Sequence, residues 1–158
     1  MTTEVTLDSP DRVRINGLLL PLALSLAIAG QRWRAPEESL LRRVFRERPI
    51  RARLFDLVTM REENRAWLEV KDRAFFGHTD TKHPPGDIDP ASSLLLGTLG
   101  PDLPFALDYR PPSEEPRVVY LHSGGDRWIT VACSVEDLLS RLGLSAPQVP
   151  RTHDARPR

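Results

Sequence analysis

The sequence predicts an α+β domain: a mixed or mainly antiparallel sheet that ends in a three-strand meander, with helices packed on it. Two observations carry this prediction. Between residues 103 and 133, three apolar segments with strand character are joined by two short turns, which favours consecutive antiparallel strands. Apolar residues also recur at helical spacing before and after this region. The length of 158 residues suits one domain with its own core.

Composition and charge limit the functional classes to which this protein can belong. Hydrophobic residues make up 40% of the chain and charged residues 28%, which is ordinary for a globular domain. Lys and Arg number 22 and Asp and Glu also 22, so the chain lacks the basic excess of nucleic-acid-binding proteins and gives no reason to expect a membrane surface as partner. The single cysteine, Cys133, excludes an internal disulfide. We expect a cytoplasmic protein without a cofactor. The 20 Arg against 2 Lys are typical of a GC-rich bacterial genome.

One apolar segment has two interpretations. Residues 18–29 (LLLPLALSLAIA) are too few to cross a bilayer, which needs about 20 apolar residues. They would fit the apolar region of a signal peptide, but the preceding segment mixes acids with arginines, whereas a signal peptide begins with basic residues. We favour a core helix that opens with Pro21 and ends at Gly30, and leave processing as a signal open.

The other elements of the N-terminal half are less regular. Residues 1–17 are polar and are predicted to be loose. A second helix is predicted between Pro36 and Pro49, because acids precede its apolar stripe and arginines follow it, as the helix dipole favours. Residues 53–58 are interpreted as a short strand or an extended link. A capping box at 59–62 predicts a helix through Trp67, and residues 69–76 are interpreted as a strand.

The C-terminal half carries most of the predicted sheet. Residues 77–90 (GHTDTKHPPGDIDP) form a loop in which the Asp89–Pro90 pair can begin a helical turn. A buried strand follows at 93–99, and then the meander of 104–110, 117–122 and 127–132. Ser134 caps a final helix that ends at Gly143, and residues 145–158 are predicted to be a disordered tail. The residues predicted to be buried are Phe105, Leu107, Val119, Leu121, Ile129, Val131, Leu138 and Leu142.

No motif in the sequence specifies a catalytic site. Phosphate-binding loops, dinucleotide fingerprints and serine nucleophile elbows do not occur. Imidazole and carboxylate side chains that could bind a metal gather in the loop, but their spacing matches no metal signature. Cys133 ends an apolar strand and is interpreted as a small core residue. The candidate metal ligands, which we weigh against an ordinary solvated loop, are His78, Asp80, His83, Asp87 and Asp89.

Several blocks, taken in order, resemble the SUKH superfamily, which joins fungal cell-wall-synthesis regulators to bacterial immunity proteins. The similarity spans roughly residues 18–144, which we take as a single domain, and it is specific in the order of the blocks. A helix that begins at Ser134 closes the pattern. The blocks are 20–21 (LP), 31–36 (QRWRAP), 86–90 (GDIDP), 94–100 (LLLGTLG), 105–110 (FALDYR), 116–121 (PRVVYL) and 128–132 (WITVA).

This resemblance implies an α+β fold and a non-enzymatic protein-binding module. Bacterial members are similar to immunity proteins that bind and neutralise a cognate toxin, so the implied partner is another protein, such as a toxin domain. The family has no catalytic residues to carry over. The neutral net charge argues against a basic nuclease as the toxin, since an acidic inhibitor would associate faster. Two alternatives stay open: a small metal-dependent hydrolase that uses loop 78–89, and a regulatory scaffold without a toxin.

The predicted partner surface centres on the same loop. An exposed aromatic side chain rimmed by polar residues is typical of protein interfaces. If 69–76 is a strand, only one of Phe75 and Phe76 can face the core, and the other would lie exposed beside His78, Asp80 and Lys82. Arg110 is also a candidate: alternation places it with Asp108 on the side of the strand opposite Phe105, either on a solvated face or on a recognition surface.

Overall fold

The computed structural model describes residues 13–111, 115–124 and 127–147. Within these residues the chain is an α+β domain, as the sequence predicts. Its α-helices are α1 (Leu22–Ala29), α2 (Glu38–Phe45), α3 (Leu57–Trp67) and α4 (Val135–Arg141). Its strands are β1 (Arg14–Ile15), β2 (Leu18–Leu19), β3 (Arg53–Leu54), β4 (Pro85–Gly86), β5 (Ser93–Thr98), β6 (Pro104–Asp108), β7 (Arg117–Leu121) and β8 (Trp128–Ala132). Short 3-10 helices span Arg73–Phe76 and Pro90–Ser92.

Six of the strands form one antiparallel sheet in the order β3–β5–β6–β7–β8–β4. β6 pairs with β7, with Asp108 opposite Arg117, and β7 pairs with β8, with Tyr120 opposite Ile129. The predicted three-strand meander is therefore confirmed. β1 and β2 form a separate hairpin.

Both faces of the sheet are covered. Alternation along β6 places Phe105 on one face, where its ring centroid lies 5.2 Å from that of Phe45 on α2. Asp108 points to the opposite face, which is also that of Trp128. There the Trp128 ring packs on Trp67 of α3, with 6.2 Å between the ring centroids. All of β6 is consequently buried, and the interpretation of the Asp108 side as a solvated face is wrong.

Six of the eight predicted core residues are buried. The exceptions, Ile129 and Val131, are half-buried. The register between β7 and β8 shifts at this point, where Val118 faces Ala132 and the next residue faces Thr130. Val131 is therefore the extra residue of a bulge. Because of this bulge, Ala132 takes an inward position that simple alternation would have given to Val131.

The helices follow the sequence signals closely but not everywhere. α1 lies between Pro21 and Gly30, as predicted. α3 begins earlier than the predicted capping box, because the Asp56 side chain accepts a hydrogen bond from the Thr59 amide at 2.8 Å. The N-cap of α4 is Ser134, as predicted.

The predicted strand at 69–76 is wrong. The Asp72 side chain accepts a hydrogen bond from the Ala74 amide at 3.0 Å and starts a 3-10 helix over Arg73–Phe76. A side chain that satisfies nearby backbone amides in this way favours a turn over a strand. Cys133 also departs from expectation: it is exposed, since β8 ends at Ala132.

A short hairpin lies at the N-terminal side of the domain. The predicted loose segment 1–17 overlaps the β1–β2 hairpin, and the Tyr109 hydroxyl donates to the Leu19 carbonyl oxygen at 2.8 Å. Residues 14–17, part of the segment predicted to be loose, thus belong to this hairpin. Residues 1–12 and most of the predicted tail lie outside the described residues. Of the helices that are described, none has the length and apolar character of a membrane span.

Candidate functional site

The predicted partner loop is a folded hairpin fixed to the edge of the sheet. Gly77 and Asp87 form a β-bridge, and β4 pairs with β8. Across the hairpin, the His78 amide donates to the Gly86 carbonyl oxygen at 3.1 Å. Gly86 has a φ of +78°, and a Cβ there would lie 2.5 Å from the Asp80 amide nitrogen, so only glycine fits this turn without strain.

Asp80 organises the tip of this hairpin. Its carboxylate accepts hydrogen bonds from the amides of Lys82 and His83, at 3.0 and 3.2 Å. The amide of His83 contributes most to holding the pKa of Asp80 below its ordinary value. The side chains of His78, Lys82 and His83 stay exposed. The loop therefore presents polar side chains from a fixed backbone.

Arg110 joins the loop to the sheet. Its Nη1 atom lies 3.2 Å from Asp87 Oδ1, and its Nη2 donates to the Asp87 carbonyl oxygen at 2.9 Å. Its Nε donates to Asp108 Oδ1, also at 2.9 Å. Arg110 thus bridges two carboxylates that lie on different segments of the chain. The structure gives it a connecting role inside the domain, in place of the freely presented side chain that the sequence suggested.

Asp108 lies at the centre of this ion cluster. Its side chain is 0% exposed, and its second oxygen lies 3.0 Å from Arg117 Nη2. Burial alone would raise the pKa of Asp108, but hydrogen bonds and the charge of Arg110, with a further bond from Arg117, lower it below the ordinary value. The carboxylate is therefore held ionised inside the protein by two arginines that reach the surface.

A groove of about 480 Å³, lined by prolines and by threonine, aspartate and arginine side chains, lies beside this cluster. The groove brings together two of the six predicted site residues, Asp80 and Arg110. It does not include Phe75, Phe76, His78 or Lys82. Its lining residues are Thr79, Asp80, Thr81, Pro84, Pro85, Asp87, Arg110, Pro111 and Arg117.

Neither Phe75 nor Phe76 is freely exposed; both are half-buried and pack against the core. The rings of Phe76 and Trp67 lie nearly perpendicular to each other, with 6.0 Å between their centroids. Phe75 lines a separate groove of about 360 Å³ with Leu103 and Leu121. The expectation that one ring faces the core and the other stands in solvent rested on a strand, and the 3-10 helix removes that alternation.

The candidate metal ligands are occupied by other interactions or lie apart. Asp87 binds Arg110, and the Asp89 carboxylate caps the turn at Pro90–Ser92 through the Ala91 amide at 3.1 Å. Across the described ranges, no three His, Cys, Asp or Glu side chains are grouped so that they could hold a metal ion. The hydrolase alternative consequently has no geometric support there.

Two ion pairs of the domain were not among the predicted site contacts. The pairing of Asp108 with Arg117 could have been found, since any hairpin that joins these two strands in this register places them opposite each other. The Oε2 atom of Glu47 lies 2.9 Å from Nδ1 of His122. The sequence does not predict this contact, because the two residues lie far apart along the chain.

No protein-family model, curated protein or solved structure matches this chain.

Proposed function

We propose that this chain is a non-enzymatic, cytoplasmic protein-binding module of the SUKH type, and that it acts as an immunity protein which binds and neutralises a bacterial toxin domain. The resemblance of the ordered sequence blocks motivates the class. The surface that we assign to the partner is the outer side of loop 77–87 together with the groove beside the Asp108 cluster.

The observation that carries this proposal is the fixed backbone of that loop. The β-bridge at Gly77, the β4–β8 pairing and the Asp87–Arg110 contacts restrain it at several points. Binding residues concentrate on loops that a rigid scaffold holds in place, because little conformational entropy is then lost on association. The exposed His78 and Lys82 are the side chains that a partner would meet first.

The test uses the protein encoded by the gene immediately upstream of the gene for this chain, if that protein has the features of a toxin. Co-expression with this chain should restore growth, and the purified pair should bind in calorimetry. The double variant His78→Ala/Lys82→Ala should weaken binding by about tenfold or more, as expected for loss of contacts at the centre of an interface. Both side chains are exposed, so the thermal midpoint should be unchanged.

The matched control is Glu62→Ala/Glu63→Ala, two exposed residues on α3. This control should bind as the parent does. Unchanged affinity of the loop variant in calorimetry would remove the loop from the interface. A stoichiometric metal in the purified protein, lost in His78→Ala together with hydrolysis of a test ester, would instead support the hydrolase alternative.

A further inference from the structure

The neutral net charge conceals a strongly basic segment. Residues 41–52 carry five arginines and a single carboxylate, Glu47. All five arginines are exposed, and among the described residues none forms an ion pair. We call these residues the arginine face: Arg42, Arg43, Arg46, Arg48 and Arg51.

The only carboxylate of this segment is turned away from the arginines. Glu47 is buried, and its Oε2 atom lies 2.9 Å from His122 Nδ1 and accepts a hydrogen bond from the Ser123 amide at 3.3 Å. The one carboxylate of residues 41–52 is thus bound to His122 and Ser123 and forms no ion pair with the arginine face.

The backbone of the arginine face is fixed to the end of the sheet. Glu47 attaches it beyond the end of β7, and the Ile50 amide donates to the Leu99 carbonyl oxygen at 2.8 Å, beyond the end of β5. Between these attachments, the Ile50 side chain is 54% exposed. An apolar side chain therefore stands between Arg48 and Arg51 on a rigid base.

Interactions within the domain do not account for these arginines. The dipole of α2 favours basic residues in its last turn, which explains Arg42 and Arg43, but this effect fades within one turn. Arg46 and Arg51 adopt left-handed backbone conformations, with φ of 60° and 57°, where glycine or asparagine would be less strained. Arginine is therefore not the residue that the backbone alone favours at these two places.

We propose that the arginine face is a second recognition surface, separate from loop 77–87, and that it binds an acidic protein segment whose carboxylates contact the arginines around an apolar side chain seated on Ile50. Guanidinium groups bind carboxylates in a planar, two-pronged geometry, and arginine is enriched at the energetic centres of interfaces. An apolar centre with a charged rim is the usual arrangement of a protein interface.

Nucleic acid fits this surface less well. The whole chain has a net charge of zero, so it lacks the long-range attraction on which phosphate-backbone binding depends. No aromatic residue occurs at positions 46–54 to stack on a base. The three tryptophans of the chain are buried in the core.

The experiment measures fluorescence anisotropy with two labelled acidic dodecapeptides, rich in Glu and Asp, that carry Leu or Ser at the centre. The chain should bind the Leu peptide more tightly, and binding should weaken about tenfold between about 50 mM and about 300 mM salt, because exposed charges are screened. Arg43→Gln/Arg48→Gln/Arg51→Gln should weaken binding at least about tenfold. Arg48→Gln alone should weaken it about threefold, which provides a test if the triple variant does not fold.

The matched control removes the same charge elsewhere. Arg65→Gln/Lys71→Gln/Arg73→Gln changes three exposed cations outside the arginine face and should bind within about twofold of the parent. Ile50→Ser should weaken binding of the Leu peptide and leave the Ser peptide unchanged. His78→Ala/Lys82→Ala should bind both peptides normally, which separates this surface from the loop site.

Three results would overturn the proposal. The first is the absence of saturable peptide binding at low salt. The second is an equal loss of affinity in the control triple variant, which would mean that only the net charge matters. The third is tighter binding of a labelled DNA duplex than of the Leu peptide through the same arginines, which would assign the surface to nucleic acid.

Discussion

Asp108 is a buried carboxylate whose oxygens are both bound by arginine side chains. We expect Asp108→Asn to lower the free energy of unfolding by about 3 kcal/mol, at the lower end of the range for breaking a buried ion pair, since both arginines are partly solvated. Urea denaturation of the variant and the parent at neutral pH measures this difference. A change below about 1 kcal/mol would mean that the cluster behaves as a surface salt bridge.

The same carboxylate makes stability depend on pH. The pKa of Asp108 in the folded chain lies below the ordinary value of 3.8. The unfolded chain therefore takes up a proton at a higher pH than the folded chain does, and stability rises with pH between the two pKa values.

We thus expect the contribution of Asp108 to be complete above about pH 5 and to be lost as the pH falls below the ordinary value towards the folded-state pKa. Denaturation midpoints across this acidic range should fall more gently in Asp108→Asn than in the parent. The residual slope should come from other carboxyl groups with lowered pKa, such as Asp56 and Asp137. Parallel curves for the two proteins would contradict the assignment.

Asn64 is the polar residue that joins α3 to the sheet. Its side chain is buried, donates to the Leu95 carbonyl oxygen at 2.9 Å and accepts from the Leu95 amide at 2.7 Å. Asn64→Leu should lower the free energy of unfolding by about 3 kcal/mol, because it leaves a buried amide and a buried carbonyl group without partners. Glu63→Ala, on the exposed side of α3, should change it by less than about 0.5 kcal/mol.

At the scale of elements, Gly97 sets how closely β3 and β6 approach β5. A Cβ at this position would clash with the Arg53 carbonyl oxygen and lie 2.7 Å from the Phe105 ring. Gly97→Ala should therefore lower the free energy of unfolding by about 2 kcal/mol or more. Gly100→Ala is the matched control: its Cβ would have no neighbour closer than 3.4 Å, so thermal unfolding should show little change.

Elements whose signals are local were predictable from the sequence. Alternation and two short turns predicted the meander, and Ser134 predicted the start of α4. The 3-10 helix at Arg73–Phe76 was not predicted, because the apolar run suits a strand equally well and only the hydrogen bond that the Ala74 amide donates to the Asp72 carboxylate favours the helix. The bulge at Val131 was missed for a similar reason: a register shift leaves no mark on composition.

The candidate site was predictable only as a loop. Its polar, turn-forming composition indicated the position of the exposed side chains, but the attachment of Arg110 to Asp87 joins residues from two different segments. Sequence alternation also implied a solvated face for Asp108, and only the packing of α3 on that face reveals a buried charge. Contacts between distant segments depend on topology, which a single sequence specifies weakly.

At the scale of the whole molecule, charge is balanced but separated. Residues 41–52 are strongly basic, whereas residues 56–89 hold eight carboxylates against five Lys and Arg. We expect a solubility minimum near the isoelectric point of 6.9 at low salt, because copies then lack net repulsion and their opposite charges attract. Turbidity measured against pH should show this minimum, and about 0.3 M salt should clear it.

The variant Arg43→Gln/Arg48→Gln/Arg51→Gln should move this solubility minimum to a lower pH, because it removes three positive charges. If the solubility is the same at acidic and basic pH, attraction between the oppositely charged segments does not cause the precipitation.

The edges of the large sheet bear on how copies of the chain meet when crowded. Each edge strand, β3 and β4, is only two residues long, and Pro85 in β4 has no amide hydrogen to offer. Beyond β4, the outer side of β8 is interrupted by the bulge at Val131. Sheets of separate molecules join into fibres through long, regular rows of free backbone groups, and these edges supply none. Precipitates of the folded protein should therefore be amorphous and redissolve, without seeding the growth of fibrils.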